Sequence, residues 1–295
     1  MPLTPKNLNI ASLNVNSIRA RLENVLNWRL QAKNLGKPID ILMLQEIKCT
    51  AEQFPTSVFE ELGYNIAING EKSYNGVAIL SKFPFNEVIH NLPTAENSNE
   101  PCQARYIEAT ININNQLLRL SSVYVPNGGS NSNIGGEVHQ QSDKNWQEST
   151  KFQYKLAFLN NLQQHLGNNL DYANELQIIG GDFNVACSNI DVYNPHLLQE
   201  TLCCSKLERQ YFRQVINLGF FDSYRLINQQ QQEFSWWDYR KQAFAKNHGL
   251  RLDYLLLNAK ASNYLADAKL ISSLRNQQNP SDHCPCLINL EFNLT

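Results

Sequence analysis

Near the end of the chain, Pro280-Ser281-Asp282-His283-Cys284-Pro285 stands directly before an apolar run. A carboxylate beside an imidazole can hold a metal ion, and it can also move or stabilise a proton. Four more polar clusters share this setting at the end of an expected strand. They are Asn14-Val15-Asn16 after Leu13, Gln45-Glu46 after Leu44, Asp182-Phe183-Asn184 after Gly180-Gly181, and Asp253 closing Leu250-Arg251-Leu252. One cluster could be chance. Five suggest a site assembled from strand ends.

Each residue also has a plainer use. Glu46 could be a solvated glutamate at a helix start. Asp182 and Asn184 could form an Asx turn, although the glycines before them would let the backbone turn tightly and approach a ligand. With the chain extended, Asn184 would face the same way as Asp182. Asn14 could cap the following helix, and so could Ser17. Asp253 breaks an apolar stretch, so it should be partly buried and need a partner, for which a histidine is suited. Asp282-His283 could be a capping turn. Together Asn14, Glu46, Asp182, Asn184, Asp253, Asp282 and His283 provide four carboxylates and hard oxygen donors, with no cysteine in the pattern. That set suits Mg2+ or Mn2+ rather than zinc or copper. Without a cation the carboxylates would repel one another. Mg2+ beside Asp and His points to phosphoester chemistry, in which the metal polarises a phosphoryl oxygen and steadies the leaving oxygen.

The elements that must carry these residues follow from periodicity. Residues 8–13 read as a strand. Ile18, Leu22, Val25, Leu26 and Leu30 recur at helical spacing up to Gly36-Lys37-Pro38. Residues 39–44 form a continuous apolar run, the mark of a strand covered on both faces. Further strands are expected at 64–68, 77–80, 106–113 and 117–125, with Asn114-Asn115 as a hairpin turn. Residues 127–149 lack periodicity and read as a long surface loop. Phe152, Leu156, Leu159, Leu162 and Leu166 mark a second helix. A strand at 176–179, a helix at 207–218 and strands at 252–257 and 286–292 complete the pattern. With polar clusters spread from residue 14 to 283 and no linker or repeat between, residues 1–295 read as one domain.

Composition narrows the classes. The 295 residues are 42% hydrophobic, enough for a substantial core, and the net charge is −2. No global electrostatic case for nucleic acid follows, so a polyanion would need a local basic face or a bound cation. The apolar runs are far shorter than a membrane span, and the N-terminus lacks the apolar core of a signal peptide. The expectation is a soluble cytoplasmic protein with no membrane partner. Seven cysteines form no secreted framework. Cys284 and Cys286, two apart on a strand, read as buried free thiols rather than a zinc pair.

The chain resembles the exonuclease III-type AP endonucleases of the endonuclease/exonuclease/phosphatase superfamily. The resemblance lies in Asn14-Val15-Asn16-Ser17-Ile18-Arg19-Ala20, Leu44-Gln45-Glu46-Ile47-Lys48, Asn75-Gly76-Val77-Ala78-Ile79-Leu80-Ser81, Val123-Tyr124-Val125-Pro126-Asn127-Gly128, Gly181-Asp182-Phe183-Asn184, Asp191-Val192-Tyr193-Asn194-Pro195, Phe234-Ser235-Trp236-Trp237-Asp238-Tyr239-Arg240, Gly249-Leu250-Arg251-Leu252-Asp253 and Ser281-Asp282-His283. These motifs run in family order from about residue 10 to 290. The Glu and Asp-His motifs alone would fit any branch of the superfamily, and the Ser-Trp-Trp-Asp-Tyr-Arg and Leu-Arg-Leu-Asp stretches are more specific to the DNA-repair branch.

The resemblance implies an α/β (α+β) fold of the DNase I-like kind, a four-layer sandwich of two mixed sheets packed face to face with helices outside. It implies Glu46 as main metal ligand with Asn14 and Asp282 close by. Asp182 and Asn184 would position the attacking water, with Asp182 activating it, and would contact a second ion if there is one. His283 would meet the scissile phosphate, oriented by Asp253, with His283 also counted among the metal-site residues. Tyr124 would donate a hydroxyl there. Trp236, Leu250 and Leu252 would line a pocket for a flipped-out abasic sugar, though core packing would explain them too. Arg19, Lys48, Tyr74, Arg105, Asn127, Asn194 and Arg251 would face the DNA backbone, positioning it without reading sequence. The implied activity is Mg2+-dependent, with one or two ions and Mn2+ as substitute. It comprises cutting duplex DNA 5′ to abasic sites, removing 3′-blocking groups and degrading 3′ ends, by in-line attack of water. A monomer is the family default. Two departures stand out. Ser17 replaces the usual glycine, and the 127–149 loop carries Lys144 as its single basic residue. The rival readings are a phospholipid or inositol-phosphate phosphodiesterase on the same scaffold, and a DNA-binding relative whose site has decayed.

Overall fold

A computed structural model of the chain describes residues 6–93, 103–129, 146–168 and 174–292. Twelve strands form two six-stranded mixed sheets among the described residues. One sheet contains β1 (Asn7–Asn14), β2 (Ile41–Gln45), β3 (Asn65–Asn69), β4 (Val77–Ser81), β11 (Leu265–Leu270) and β12 (Cys286–Glu291), in the order β11-β12-β1-β2-β4-β3. The other contains β5 (Phe85–His90), β6 (Tyr106–Ile113), β7 (Gln116–Tyr124), β8 (Leu176–Asp182), β9 (Phe220–Asp222) and β10 (Asp253–Asn258), in the order β5-β6-β7-β8-β10-β9.

Period-two burial explains the stacking. Ile10, Ile41 and Met43 face the second sheet and meet Ile107, Leu118, Leu120, Ile178 and Leu255 between the layers. Their neighbours Ala11, Leu13, Leu42 and Leu44 face outward under α1 (Ile18–Asn34) and α2 (Thr56–Glu61). On the far side, α3 (Thr150–Asn168) and α4 (Lys206–Ile216) cover Tyr106, Val123, Ile179 and Leu256. Both faces of the central strands are thus apolar, as a continuous hydrophobic run requires. Each fully buried Leu or Ile contributes roughly 1.5–3 kcal/mol. The short helices α5 (Ser223–Ile227) and α6 (Ala259–Ser262) lie against β10.

Each sheet has one parallel pair, β1–β2 and β7–β8. Their crossovers carry α1 and α3, because parallel strands need a long return path. The hairpin at Asn114-Asn115 forms as expected, with φ of 54° and 59° in the two-residue turn. The expected 127–149 loop falls mostly outside the described residues, Lys144 included. Its last part is a 3-10 turn at Trp146–Glu148 leading into α3.

Candidate active site

The carboxyl ends of the two parallel pairs point to the same place. In one sheet Asn14 ends β1 opposite Gln45, and Glu46 follows. In the other, Tyr124 ends β7 opposite Asp182, and Asp182 pairs across β8–β10 with Asp253. His283 arrives from the segment before β12. Ser281 Oγ donates to the Asn14 carbonyl at 2.7 Å and accepts from the His283 N–H at 3.2 Å, tying that segment to β1. Isolated bridges join Trp236 to both His283 and Leu250. A pocket of about 340 Å3 opens here, lined by Glu46, Tyr124, Asp182, Asn184, Asp282 and His283 together with Asn16, Lys48, Asn127 and Trp236.

Ligand atoms of Glu46, Asp182 and His283 lie within 4.8 Å of one another. Groups bonded to one ion at 2.0–2.6 Å are at most about 5 Å apart, so these three fit a single cation. The two carboxylates are hard oxygen donors, and no thiolate lies among the three; the imidazole could ligate only with its Nε2 bare. Three other residues expected to ligate play different parts. The Asn14 amide turns its NH2 toward the carboxylates, donating to Glu46 Oε1 at 2.8 Å and Asp182 Oδ2 at 2.9 Å, while its oxygen accepts the Asn16 N–H. It bridges the two acids. Asp282 accepts from Asn16 Nδ2 and Trp236 Nε1, both at 3.0 Å, so its two oxygens are turned to N–H donors. Asn184 spends its amide on Val125 and Asp182. Its own N–H donates to Asp182 Oδ1 at 2.9 Å, so the Asx turn is real and coexists with a place in the pocket.

Charge sets the protonation of the cluster. Burial pushes the Glu46 carboxyl up, but the Lys48 ammonium, 2.8 Å away, and the Asn14 amide bring it below its ordinary value. Burial raises Asp182, His283 opposes this, and repulsion from Asp253 and Glu46 adds to the rise. For His283 burial favours the neutral ring, yet Asp253 and Asp182 overcome it and hold the proton on. Its Nδ1 lies 2.8 Å from Asp253 Oδ2 and its Nε2 lies 3.6 Å from Asp182 Oδ2. Burial, then Glu46 and Asp182, keep the Tyr124 hydroxyl well above its ordinary pKa, so it stays a donor. The Arg105 guanidinium sits over its ring at 4.6 Å.

Backbone strain gathers here too. Asn16, Ser17, Glu46, Lys48 and Asn184 all have positive φ, between 45° and 87°. Such conformations cost on the order of 1–3 kcal/mol each and persist where packing over-determines them. At φ 87° Ser17 occupies glycine territory, which gives the expected glycine there a physical reason. Ser17 makes no side-chain cap to α1. Gly180 and Gly181 have a different role from the one expected. They lie inside β8, where a Cβ at 181 would collide with the Val123 carbonyl and one at 180 would come within 2.7 Å of Met43. Their job is close packing of strands and sheets.

Of the residues expected to face DNA, Arg19, Tyr74 and Asn194 are exposed, and Lys48, Arg105 and Asn127 are half-buried. Asn194 belongs to a separate cavity with Tyr193, Lys241 and His248. Trp236 and Leu252 line the active pocket. Leu250 does not: it is fully buried beneath Trp236, in a cluster with Phe152 and Leu198. Arg251 is corrected in the same way. It is 1% exposed and donates to Asp191 Oδ1 and Asp222 Oδ2, each at 2.7 Å. A guanidinium buried among carboxylates is structural.

That correction is testable. Arg251→Met is expected to lower stability by about 3–5 kcal/mol, the cost of stranding buried charge, while the folded fraction keeps its DNA affinity. Urea denaturation beside DNA titration decides it, and unchanged stability with weakened, salt-sensitive DNA binding would restore the surface role. Burial raises Asp191, but Arg251 and Arg225 outweigh it and hold the carboxyl below 3.8. The stabilisation is therefore full above 3.8 and is lost as pH falls through the lower folded value.

Three supporting residues were not singled out from sequence. Ser235 Oγ donates to Asp253 Oδ2 at 2.6 Å and accepts the N–H groups of Leu252 and Asp253. Arg275 holds the carbonyls of Ser281 and Trp237 and so ties the His283 segment to the Trp236 segment. Lys155 lies beneath Asn184. Ser235 stood within a recognised motif, but nothing in the motif says which carboxylate it serves. Glu208, the partner of Lys155, does leave a trace, a Ser205-x-x-Glu208 capping box.

Residues 11–283 match the profile of the endonuclease/exonuclease/phosphatase family. Exodeoxyribonuclease III of Haemophilus influenzae is 33% identical over 281 residues, which is 93% of this chain and 96% of that protein. DNA repair nuclease APEX1 of Danio rerio is 30% identical over 290 residues, 96% of this chain and 82% of that one. Among solved structures, the 3′ phosphatase NExo from Neisseria bound to a product DNA hairpin superposes with a TM-score of 0.83 at 31% identity, covering 97% of this chain and all of that one. An AP endonuclease from Archaeoglobus fulgidus gives 0.81 at 31% identity, with the same coverage.

Proposed function

This chain belongs to the endonuclease/exonuclease/phosphatase family, and we propose that it works there as a Mg2+-dependent nuclease that cuts duplex DNA 5′ to abasic sites and processes 3′ ends. The observation that carries the reading is the convergence of Glu46, Asp182 and His283 beside the His283–Asp253 pair. Its relatives are DNA-repair nucleases, among them an exodeoxyribonuclease III and a DNA repair nuclease. The fold and the branch are theirs.

Glu46 and Asp182 would hold the metal, with the His283 ring facing it across the pocket, and the ion when bound polarises the phosphodiester and neutralises its developing charge. The chain does the rest. Asp182, a buried carboxylate at the floor of the pocket, is placed to take a proton from the attacking water. The cationic His283 ring, held by Asp253, offers a charged donor to a phosphate oxygen. Tyr124 presents a second, neutral donor. Trp236, locked through its Nε1 to Asp282, and Leu252 give the pocket an apolar wall that suits a sugar without its base. The lining supplied by Asn16, Lys48 and Asn127 is polar, which favours a phosphodiester backbone over a lipid.

The test is a duplex carrying one abasic site, incubated with Mg2+, Mn2+ or EDTA, with sphingomyelin in parallel. One nick on the 5′ side leaving a 3′-hydroxyl is expected with either ion, and none with EDTA. Cleavage that survives EDTA, or lipid hydrolysis with intact DNA, would sink the reading.

A further inference from the structure

Lys155 lies in the apolar stripe of α3, between Phe152 and Leu156, and is completely buried. An ammonium there is tolerable only when each proton has an acceptor. All three do. Nζ donates to the Asn184 carbonyl at 2.7 Å, to the Asn127 carbonyl at 3.2 Å, and to Glu208 in an ion pair. Glu208, also fully buried, accepts as well from the Cys203 N–H at 2.9 Å and from Ser205 Oγ at 2.6 Å. One ammonium therefore joins α3 and α4 to the loops that leave β7 and β8. The β7 loop rests directly on the lysine stem: a Cβ at Gly128, whose φ is +90°, would come within 2.8 Å of Lys155 Cδ.

From this arrangement we infer that Lys155 is a positioning residue for catalysis, acting through Asn184 without reaching the pocket; the inference rests on the nuclease reading above. Asn184 has φ 51°, in the left-handed region that asparagine tolerates better than other non-glycine residues. Its N–H is held by Asp182 Oδ1 and its carbonyl by Lys155. With both ends so held, the side chain turns back to give Nδ2 to Val125 O at 3.0 Å and Asp182 Oδ2 at 3.4 Å. Asn127 Nδ2 reaches Asn184 Oδ1 at 3.4 Å from the loop that the same ammonium holds. Without Lys155 two buried carbonyls lose their donor, the left-handed turn relaxes, and the amide leaves Asp182.

Lys155→Met alone would strand the Glu208 charge, so the test uses Lys155→Met/Glu208→Gln, which removes both charges at nearly constant volume. On the abasic duplex with Mg2+, kcat is expected to fall about 10- to 100-fold with KM nearly unchanged, the size of loss that a small misplacement near the chemistry produces. In an Asn184→Ala background the same pair of changes should lower kcat by less than about threefold, because the residue it acts through is gone. A kcat within about twofold of wild type, or an equal loss in both backgrounds, overturns the inference. Should the pair variant melt below the assay temperature, the cycle is run at a lower temperature at which it is folded and judged by the same two outcomes. A crystal structure of the variant supplies an activity-free arm: Asn184 should leave positive φ, and an unmoved Asn184 overturns the inference. Wild-type cleavage of the duplex reports on the nuclease reading alone, and the position of Asn184 reports on Lys155 alone.

Discussion

Changing Asp182 to asparagine is expected to lower turnover on an abasic duplex by about ten-thousand-fold, the upper range for loss of a positioned general base, while DNA affinity changes only a few-fold. The carboxylate is buried, and both oxygens already accept: Oδ1 from the Asn184 N–H, Oδ2 from the Asn14 amide. An asparagine can be placed either way round, and each way sets its NH2 against an N–H donor. The substitution thus removes the negative charge, removes the base and disturbs the Asn14 bridge to Glu46 together. Ground-state binding should survive if, as proposed, DNA is held by exposed and half-buried residues such as Arg19, Lys48 and Arg105 and not by Asp182. Single-turnover cleavage beside a fluorescence anisotropy titration separates the two quantities. Turnover within tenfold of wild type would remove Asp182 from the chemistry.

How far this was legible in advance depended on where each residue sits in its sheet. β1, β2, β4, β6, β7, β8, β10 and β12 are interior strands, and either a continuous apolar run, as in β2 and β4, or a clear alternation, as in β6 and β12, announced them. The three strands that went unread, β5, β9 and β11, all lie at sheet edges. β5 reads Phe-Asn-Glu-Val-Ile-His with no fully buried residue, and β11 reads Leu-Ala-Asp-Ala-Lys-Leu with Ala268 alone fully buried. An edge strand buries less and carries charge to discourage further pairing, so it loses the pattern by which strands are found. The site was legible for a related reason. Each polar residue at a strand end has a structural use of its own, but several at the ends of buried strands in one chain do not, so Asn14, Glu46, Asp182 and Asp253 stand out together. Which carboxylate meets which cation was not legible. Arg251 looked like a backbone-facing arginine because its partners, Asp191 and Asp222, come from distant segments. Lys155 gives no sign of its role in sequence, because its partner Glu208 comes from α4.

The His283–Asp253 pair should behave as one unit. His283→Ala is expected to lower kcat by about a thousandfold, as loss of a preorganised charged donor does. Asp253→Asn should cost nearly as much, and the double variant little more than His283→Ala, since groups that act together are not additive. The geometry fixes the direction of influence. Asp253 is locked by Ser235 Oγ at 2.6 Å and accepts from His283 Nδ1 at 2.8 Å, which leaves Nε2 facing Asp182 and the pocket. Asp253 therefore works through the ring and need not touch the phosphate. The pH dependence follows. Burial disfavours the imidazolium, yet Asp253 first and Asp182 second raise the folded value above the ordinary 6.5. The proton, and the stability it contributes, are fully present below 6.5 and are lost as pH rises through the higher folded value. An amide at 253 supplies no charge to hold that proton, so the alkaline fall in activity should move to lower pH in Asp253→Asn. Rate–pH profiles of wild type and variant, with melting temperatures taken over the same range, test this directly. An unshifted alkaline limb, or losses that simply multiply in the double variant, would show that Asp253 supports the fold and that His283 works without it.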